Sequence, residues 1–156
     1  LPLESIQLKV ATGFYYFSIS PEGLLRYDQN GNKTLLYKGK IENLQKIYKG
    51  KNTLIAFSSQ NTIYVVNEAG NIGQTVNTNV AEIDDFDFIT IANGNQYFAV
   101  IDGIENNIFL LDSKANILNE KPFEGKTKVK LSLENGKINI TSLIENYIVQ
   151  YYDVLN

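Results

Sequence analysis

Apolar and polar residues alternate along this chain in a pattern that recurs four times. Each copy contains a run of β-branched, aromatic and other apolar residues, then a short polar turn, then a second apolar run. Two apolar runs that flank a short turn predict a β-hairpin. The four copies align without a gap, their ends are 39, 45 and 40 residues apart, and they comprise residues 14–32, 53–71, 98–116 and 138–156.

Tight turns and further strands extend each hairpin. The second run of each hairpin ends at a residue whose side chain can accept hydrogen bonds from its own turn, namely Asp28, Asn67, Asp112 or Asp153. One more strand is predicted before every hairpin, at 6–10, 41–48, 86–92 and 129–133. Another is predicted after each of the first three, at 34–37, 73–76 and 117–123. The pattern therefore predicts four strands per repeat, with repeats at about 1–39, 40–79, 80–126 and 127–156.

Four antiparallel strands at a period of about 40 residues are typical of a β-propeller blade. The segments Ile-Tyr-Val-Val-Asn-Glu-Ala-Gly-Asn at 63–71 and Ile-Phe-Leu-Leu-Asp-Ser-Lys-Ala-Asn at 108–116 resemble the second hairpin of quinoprotein-type and related bacterial propeller repeats. The expected fold is all-β: a β-propeller-like array of about four four-stranded antiparallel blades, in which the last blade is incomplete. A β-sandwich with evenly spaced strands is the alternative. Residues 1–156 are expected to form a single propeller-like domain or a propeller fragment.

The incomplete fourth blade leaves one strand edge without a partner. Unpaired strand edges recruit other strands, so proteins usually pair or cover them. The N-terminal run 1–8, further blades outside this chain, or a second copy of the chain could each supply the missing strand. A homo-oligomer is therefore one expected outcome.

The amino-acid composition excludes several kinds of active site. The chain contains no His, Cys, Met or Trp. Disulfide bonds, thiolate or imidazole metal ligands, and nucleophiles activated by His are therefore excluded. Most enzymes that act near neutral pH use His for proton transfer, so the sequence favours a protein that is not an enzyme and holds no cofactor. No apolar run approaches about 18 residues, so no membrane span is expected.

Charge is distributed unevenly although the formal net charge is only −3. Residues 1–52 carry +4, residues 53–112 carry −8 without a single basic side chain, and residues 113–156 carry +1. An acidic sector repels nucleic acid and favours a cation or the basic surface of a protein partner. Acidic turns that simply keep the protein soluble are the alternative explanation.

Asp84-Asp85-Phe86-Asp87 is the densest group of carboxylates. Because alternate residues of a strand share a face, Asp85 and Asp87 are expected to point together and Asp84 to point the opposite way. Such oxygens could hold Ca²⁺, and a carboxylate pair could cleave glycosides. The position of the group near the start of a strand favours a connecting loop instead. No metal site is therefore predicted, and Asp85 and Asp87 remain the candidates for one.

These observations favour a non-catalytic binding or scaffold module within a larger bacterial surface or envelope protein. Its protein partners are expected to dock on the loops at the blade ends, at 21–23, 77–85 and 103–106. The candidate partner-binding residues are Glu82, Asp84, Asp85 and Glu105. The alternative is a carbohydrate-active propeller that uses Asp85 and Asp87. The sequence does not fix the cellular compartment, although an extracytoplasmic location is favoured.

Overall fold

The computed structural model describes residues 5–10, 12–49 and 52–155, and over these ranges the chain is all-β. Sheet 1 contains β1 (Ile6–Val10), β2 (Gly13–Ile19), β3 (Gly23–Tyr27) and β4 (Lys33–Lys38). Sheet 2 contains β5 (Glu42–Lys49), β6 (Asn52–Ser59), β7 (Thr62–Val66) and β8 (Ile72–Asn77). Sheet 3 contains β9 (Ile83–Thr90), β10 (Gln96–Asp102), β11 (Asn107–Asp112) and β12 (Phe123–Glu124). Sheet 4 contains β13 (Lys126–Glu134), β14 (Lys137–Ile144) and β15 (Tyr147–Tyr151).

Every sheet is an antiparallel meander in which each strand pairs with its neighbour in the sequence. In an immunoglobulin-type sandwich, by contrast, Greek-key connections carry the chain back and forth between two sheets. The expected all-β class, with successive four-stranded antiparallel blades and an incomplete last blade, is therefore confirmed. None of the described residues forms a helix that could span a membrane.

The chain forms two compact units, Leu1–Thr75 and Val76–Asn156, with the boundary inside β8. In the first unit, apolar side chains of sheets 1 and 2 pack together. Phe17 and Leu24 of sheet 1 are fully buried in one cluster with Ile55 and Phe57 of sheet 2. Tyr37 of β4 extends this contact, because its ring centroid lies 5.4 Å from that of Phe57. The fourth strand of sheet 1 thus adds an aromatic side chain to the packing against sheet 2.

Arg26, the only arginine in the chain, ties sheet 1 to a turn of sheet 2. Its Nη1 donates to the carbonyl oxygen of Gly70 at 2.8 Å and to Oδ1 of Asn71 at 2.6 Å. Its guanidinium carbon also lies 4.5 Å from the ring centroid of Tyr15. A planar, forked cation can make all three contacts at once.

In the second unit, sheets 3 and 4 pack in the same way. The fully buried side chains of this cluster are Ala99, Ile101, Ile108, Val129 and Ile140. Phe123 of the fourth strand, β12, again contributes an aromatic ring, 4.8 Å from that of Tyr151 in sheet 4. The repeat in the sequence therefore corresponds to a repeat in the packing.

The turns between the third and fourth strands recur with the same hydrogen bonds. Oδ1 of Asp28 accepts from the backbone N–H groups of Asn30 and Asn32, both at 2.9 Å, and Oδ2 accepts from the Asn32 side-chain amide at 2.9 Å. Asp112 makes the equivalent three bonds, and Asn67 makes the two backbone bonds. The hydrogen bond from the Asn32 side chain lowers the pKa of Asp28 from its ordinary value. The predicted capping of these turns by their leading residue is confirmed.

The structure differs from the predicted strands at two places in sheet 3. β9 begins at Ile83, three residues before the predicted start at 86, so the carboxylate group lies within a strand. β12 contains only Phe123–Glu124, and Ile117 forms just an isolated bridge to Leu111 where a strand at 117–123 was expected.

The N-terminal run 1–8 was one candidate for the strand missing from sheet 4. Residues 1–4 of that run lie outside the described residues. From Ile6 onward the chain pairs with β2 as the first strand of sheet 1.

Replacing Asp28 tests the capping of these turns. Asp28→Ala removes the acceptors for three hydrogen bonds and should lower the melting temperature by about 2–4 °C. Asp28→Asn should stay close to the wild type, because Asn67 serves the same turn in the second repeat. Thermal unfolding followed by circular dichroism measures both variants. Equal losses in the two would show that the side-chain oxygen does not stabilise the turn.

Candidate functional site

Asp85 and Asp87 are buried in β9, where each is only 6% exposed. Oδ2 of Asp85 accepts from the backbone N–H of Val129 at 2.9 Å, and Oδ2 of Asp87 accepts from the backbone N–H of Leu131 at 2.7 Å. The two carboxylates therefore reach alternate residues of one strand, β13, as the alternation of side chains along β9 predicts.

These carboxylates take the place of a strand beside β13. Among the described strands β13 pairs only with β14, and in an antiparallel pair the N–H groups of alternate residues point away from the partner strand. Without an acceptor, the buried N–H of Val129 would cost free energy. Both bonds join residues 44 positions apart, so β9 and β13 run in the same direction where they meet.

Burial is the main influence on the protonation of this pair. It raises the pKa of Asp85, and the hydrogen bond from Val129 opposes the shift. Burial likewise raises the pKa of Asp87, against the hydrogen bond from Leu131 and the positive charge of Lys130. Their burial and their hydrogen bonds from β13 indicate that Asp85 and Asp87 attach sheet 4 to sheet 3. The expectation that Asp85 lies on an exposed loop is therefore wrong.

Three of the four predicted partner-binding residues lie together at one end of sheet 3. The N–H of Gly103 donates to the carbonyl oxygen of Glu82 at 2.9 Å. The carboxylate of Asp84 lies so close to Gly103 that a Cβ atom there would clash with Oδ1 of Asp84. Glu105 follows in the same turn, and all three acidic residues are exposed. Glycine at 103 therefore permits the Asp84 carboxylate to lie against this turn.

A shallow groove of about 220 Å³ lies beside this turn, between the strand ends of sheets 3 and 4. Glu105, Glu124 and Glu145 line it, together with Lys126, whose Nζ lies 3.8 Å from Oε1 of Glu145. The backbone N–H of Gly125 donates to the carbonyl oxygen of Asn106 at 3.1 Å and holds the two sides together. We name the acidic residues at this place the acidic end, which comprises Glu82, Asp84, Glu105, Glu124 and Glu145.

Sequence reasoning missed Glu124 and Glu145 because they belong to the segment 113–156, whose net charge is +1. One signal was present in the repeat. When the copies that begin at 98 and 138 are aligned, Glu145 occupies the position of Glu105. Both residues lie in the turn between the second and third strands of their sheets. Equivalent turns of consecutive sheets thus bring the two carboxylates to the same groove.

No protein family and no curated protein matches this sequence. Among solved structures, the chain is similar to a protein of unknown function from Bacteroides caccae, with a TM-score of 0.52 and 14% identity over 97% of this chain and 62% of that one. It is also similar to the WD40 domain of Neurospora crassa Pan2, with a TM-score of 0.42 and 15% identity over 88% of this chain and 45% of that one. The chain therefore spans less than two thirds of either structure. At 14% identity, the likeness to the first protein concerns the fold alone.

Asp87 variants test whether the carboxylate supports β13 through its hydrogen bond. Asp87→Ala leaves the N–H of Leu131 without this acceptor and should lower the free energy of unfolding by about 1–3 kcal/mol. Asp87→Asn keeps an amide oxygen at the same place and should lose clearly less. Denaturant unfolding measures both values. If the two variants were equally destabilised, the hydrogen bond could not be what stabilises β13.

The raised pKa values of Asp85 and Asp87 predict a specific pH dependence. The folded protein holds these protons more tightly than the unfolded chain does. Their contribution to stability is therefore fully present below the ordinary carboxyl pKa and is lost as pH rises through the raised values. Relative to an Asp85→Asn/Asp87→Asn variant, which cannot titrate at these positions, the wild type should gain stability as pH falls from about 7 to about 4. Unfolding free energies measured across this range give the difference, and a difference that grows with rising pH would contradict the assignment.

Proposed function

We propose that this chain is a non-catalytic binding module of a larger bacterial surface or envelope protein, and that a protein partner with a basic surface docks on the acidic end. The observation that carries this proposal is the convergence of exposed carboxylates beside one groove. Glu82 lies just before β9 and Asp84 near its start, whereas Glu105 and Glu145 come from turns of two consecutive sheets. The placement in a surface or envelope protein rests on the sequence alone.

The charges at the acidic end favour a cationic partner. Among the described residues that line the groove, three glutamates accompany one lysine, Lys126, which is paired with Glu145. Fields of this kind attract basic surfaces and speed association more than they add affinity. Ile104, which lies in the same turn as Glu105 and is 61% exposed, offers an apolar contact among the charges. An apolar contact surrounded by polar groups is the usual composition of a protein interface.

The positions of Asp85 and Asp87 support a non-catalytic function for the chain. A glycosidase needs two carboxylates that reach the sugar, one of them able to exchange protons with it. Here each carboxylate is buried and accepts a hydrogen bond from the backbone of β13. Removing either from its place would leave a backbone donor of β13 without its acceptor.

Capture from native lysate tests the docking site with matched charge variants. The triple variant Glu82→Gln/Asp84→Asn/Glu105→Gln removes three charges from the acidic end. The control Glu22→Gln/Glu68→Gln/Glu120→Gln removes three charges from exposed positions elsewhere. The wild type and the control should capture the same protein, and the site variant should capture about tenfold less, the effect of about 1.4 kcal/mol in binding.

Binding of the purified captured protein, measured at two salt concentrations, should show that added salt weakens the wild type and has little effect on the site variant. Equal capture by both triple variants would contradict docking at the acidic end. Hydrolysis of aryl glycosides that Asp85→Asn abolishes in the folded protein would instead favour the carbohydrate-active alternative.

A further inference from the structure

The dipeptide Asn-Gly occurs three times in this chain, at 30–31, 93–94 and 135–136. In this sequence the backbone nitrogen of the glycine can attack the side-chain amide of the asparagine, because glycine has no Cβ atom to hinder the approach. All three pairs lie in exposed turns. Among the described residues, a Cβ atom built on any of these glycines would have no contact within 4 Å beyond its chain neighbours. The three pairs therefore share their chemistry and their exposure, and differ in the hydrogen bonds of their turns.

In two of these turns the glycine nitrogen is held in a hydrogen bond. The N–H of Gly31 donates to the carbonyl oxygen of Asp28 at 3.0 Å, and the N–H of Gly94 donates to the carbonyl oxygen of Ile91 at 2.9 Å. Each glycine is the fourth residue of its turn, and the N–H of the fourth residue is the group that closes a β-turn. This nitrogen can attack the neighbouring side chain only after the turn opens.

The third turn has a different geometry, which leaves the glycine nitrogen accessible. Glu134 of β13 pairs directly with Lys137 of β14, so the turn has two central residues. Asn135 has a φ of 53° less one degree, and Gly136 has a φ of 76°, as in a type I′ turn. Gly136 is the third residue of this turn, whereas the closing bond uses the fourth. Among the described residues, neither the N–H of Gly136 nor the side-chain amide of Asn135 forms a hydrogen bond.

We propose that Asn135 is a site of spontaneous deamidation, at which the chain releases ammonia and takes up water. The nitrogen of Gly136 forms a bond to Cγ of Asn135, and the bond from Cγ to Nδ2 breaks. The proton of the Gly136 N–H leaves with Nδ2 as ammonia. Water then opens the resulting five-membered imide at one of its two carbonyl carbons. Cleavage at Cγ gives aspartate with the original main chain, and cleavage at the main-chain carbonyl carbon gives isoaspartate.

The hydrogen bonds of the other two turns set the expected difference in rate. A hydrogen bond that must break before the reaction slows it by up to about tenfold. In the folded protein, Asn135 should therefore lose its amide about tenfold faster than Asn30 and Asn93. The turn lies beyond the end of β13, whereas Lys126 at the start of β13 lines the groove of the acidic end. The inference is therefore independent of the proposed docking.

Peptide mass spectrometry of protein kept at mildly alkaline pH measures the three rates, since deamidation replaces an NH₂ group with OH. The tryptic peptides 27–33 and 131–137 each contain one Asn-Gly pair, and a protease that cleaves after acidic residues releases the third pair within 88–102. Asn135 should react fastest in the folded protein, and the three rates should converge in guanidinium chloride. Equal rates in the folded protein, or a faster reaction of Asn135 that persists in denaturant, would overturn the proposal.

Two matched variants test the site by charge. Deamidation adds one negative charge, so the wild type should accumulate an acidic species that isoelectric focusing detects. Asn135→Asp has no amide to lose and keeps a residue that tolerates positive φ, and it should accumulate further acidic species much more slowly. Asn30→Asp, in the first of the three turns, should accumulate them at the rate of the wild type. Equal slowing by both variants, or no slowing by Asn135→Asp, would contradict the assignment.

Discussion

The backbone groups along an unpaired strand edge need hydrogen-bond partners, and most of this structure depends on how that need is met. A chain that folds as successive antiparallel sheets has a first and a last strand in every sheet, and each exposes a row of backbone groups. At β13, side chains supply the partners: Asp85 and Asp87 provide acceptors where a neighbouring strand would provide carbonyl oxygens. At β15 no such acceptors or donors are provided among the described residues. The two edges of sheet 4 therefore differ in how their backbone groups are satisfied.

Carboxylates occur in three different surroundings in this chain. Asp28 and Asp112 cap exposed turns, and hydrogen bonds from the side chains of Asn32 and Asn116 lower their pKa. Asp85 and Asp87 are buried, and burial raises their pKa. The carboxylates of the acidic end are mostly exposed and face solvent. The run of negative charge in the middle of the sequence therefore combines side chains that stabilise the fold with side chains that are exposed to solvent.

The repeat was predictable from the sequence because it is local. Hairpins and capped turns depend on residues close together in the chain, so apolar alternation and a leading Asp or Asn were enough to place them. The start of β9 was not predictable, because Asp85 has the character of a loop residue until β13, 44 residues later, supplies its donor. The grouping of Glu124 with Glu105 likewise depends on how two sheets meet.

Arginine occurs once in a chain whose other thirteen basic residues are lysine. The single arginine lies at a place that lysine would not fill equally well. Its contacts explain why: a lysine ammonium could meet the carbonyl of Gly70 or the side chain of Asn71 but has no flat face to lay on Tyr15. Arg26, Tyr15 and the turn at 67–71 therefore form one structural unit. Replacing Arg26 would remove its contacts to the ring and to the turn at once.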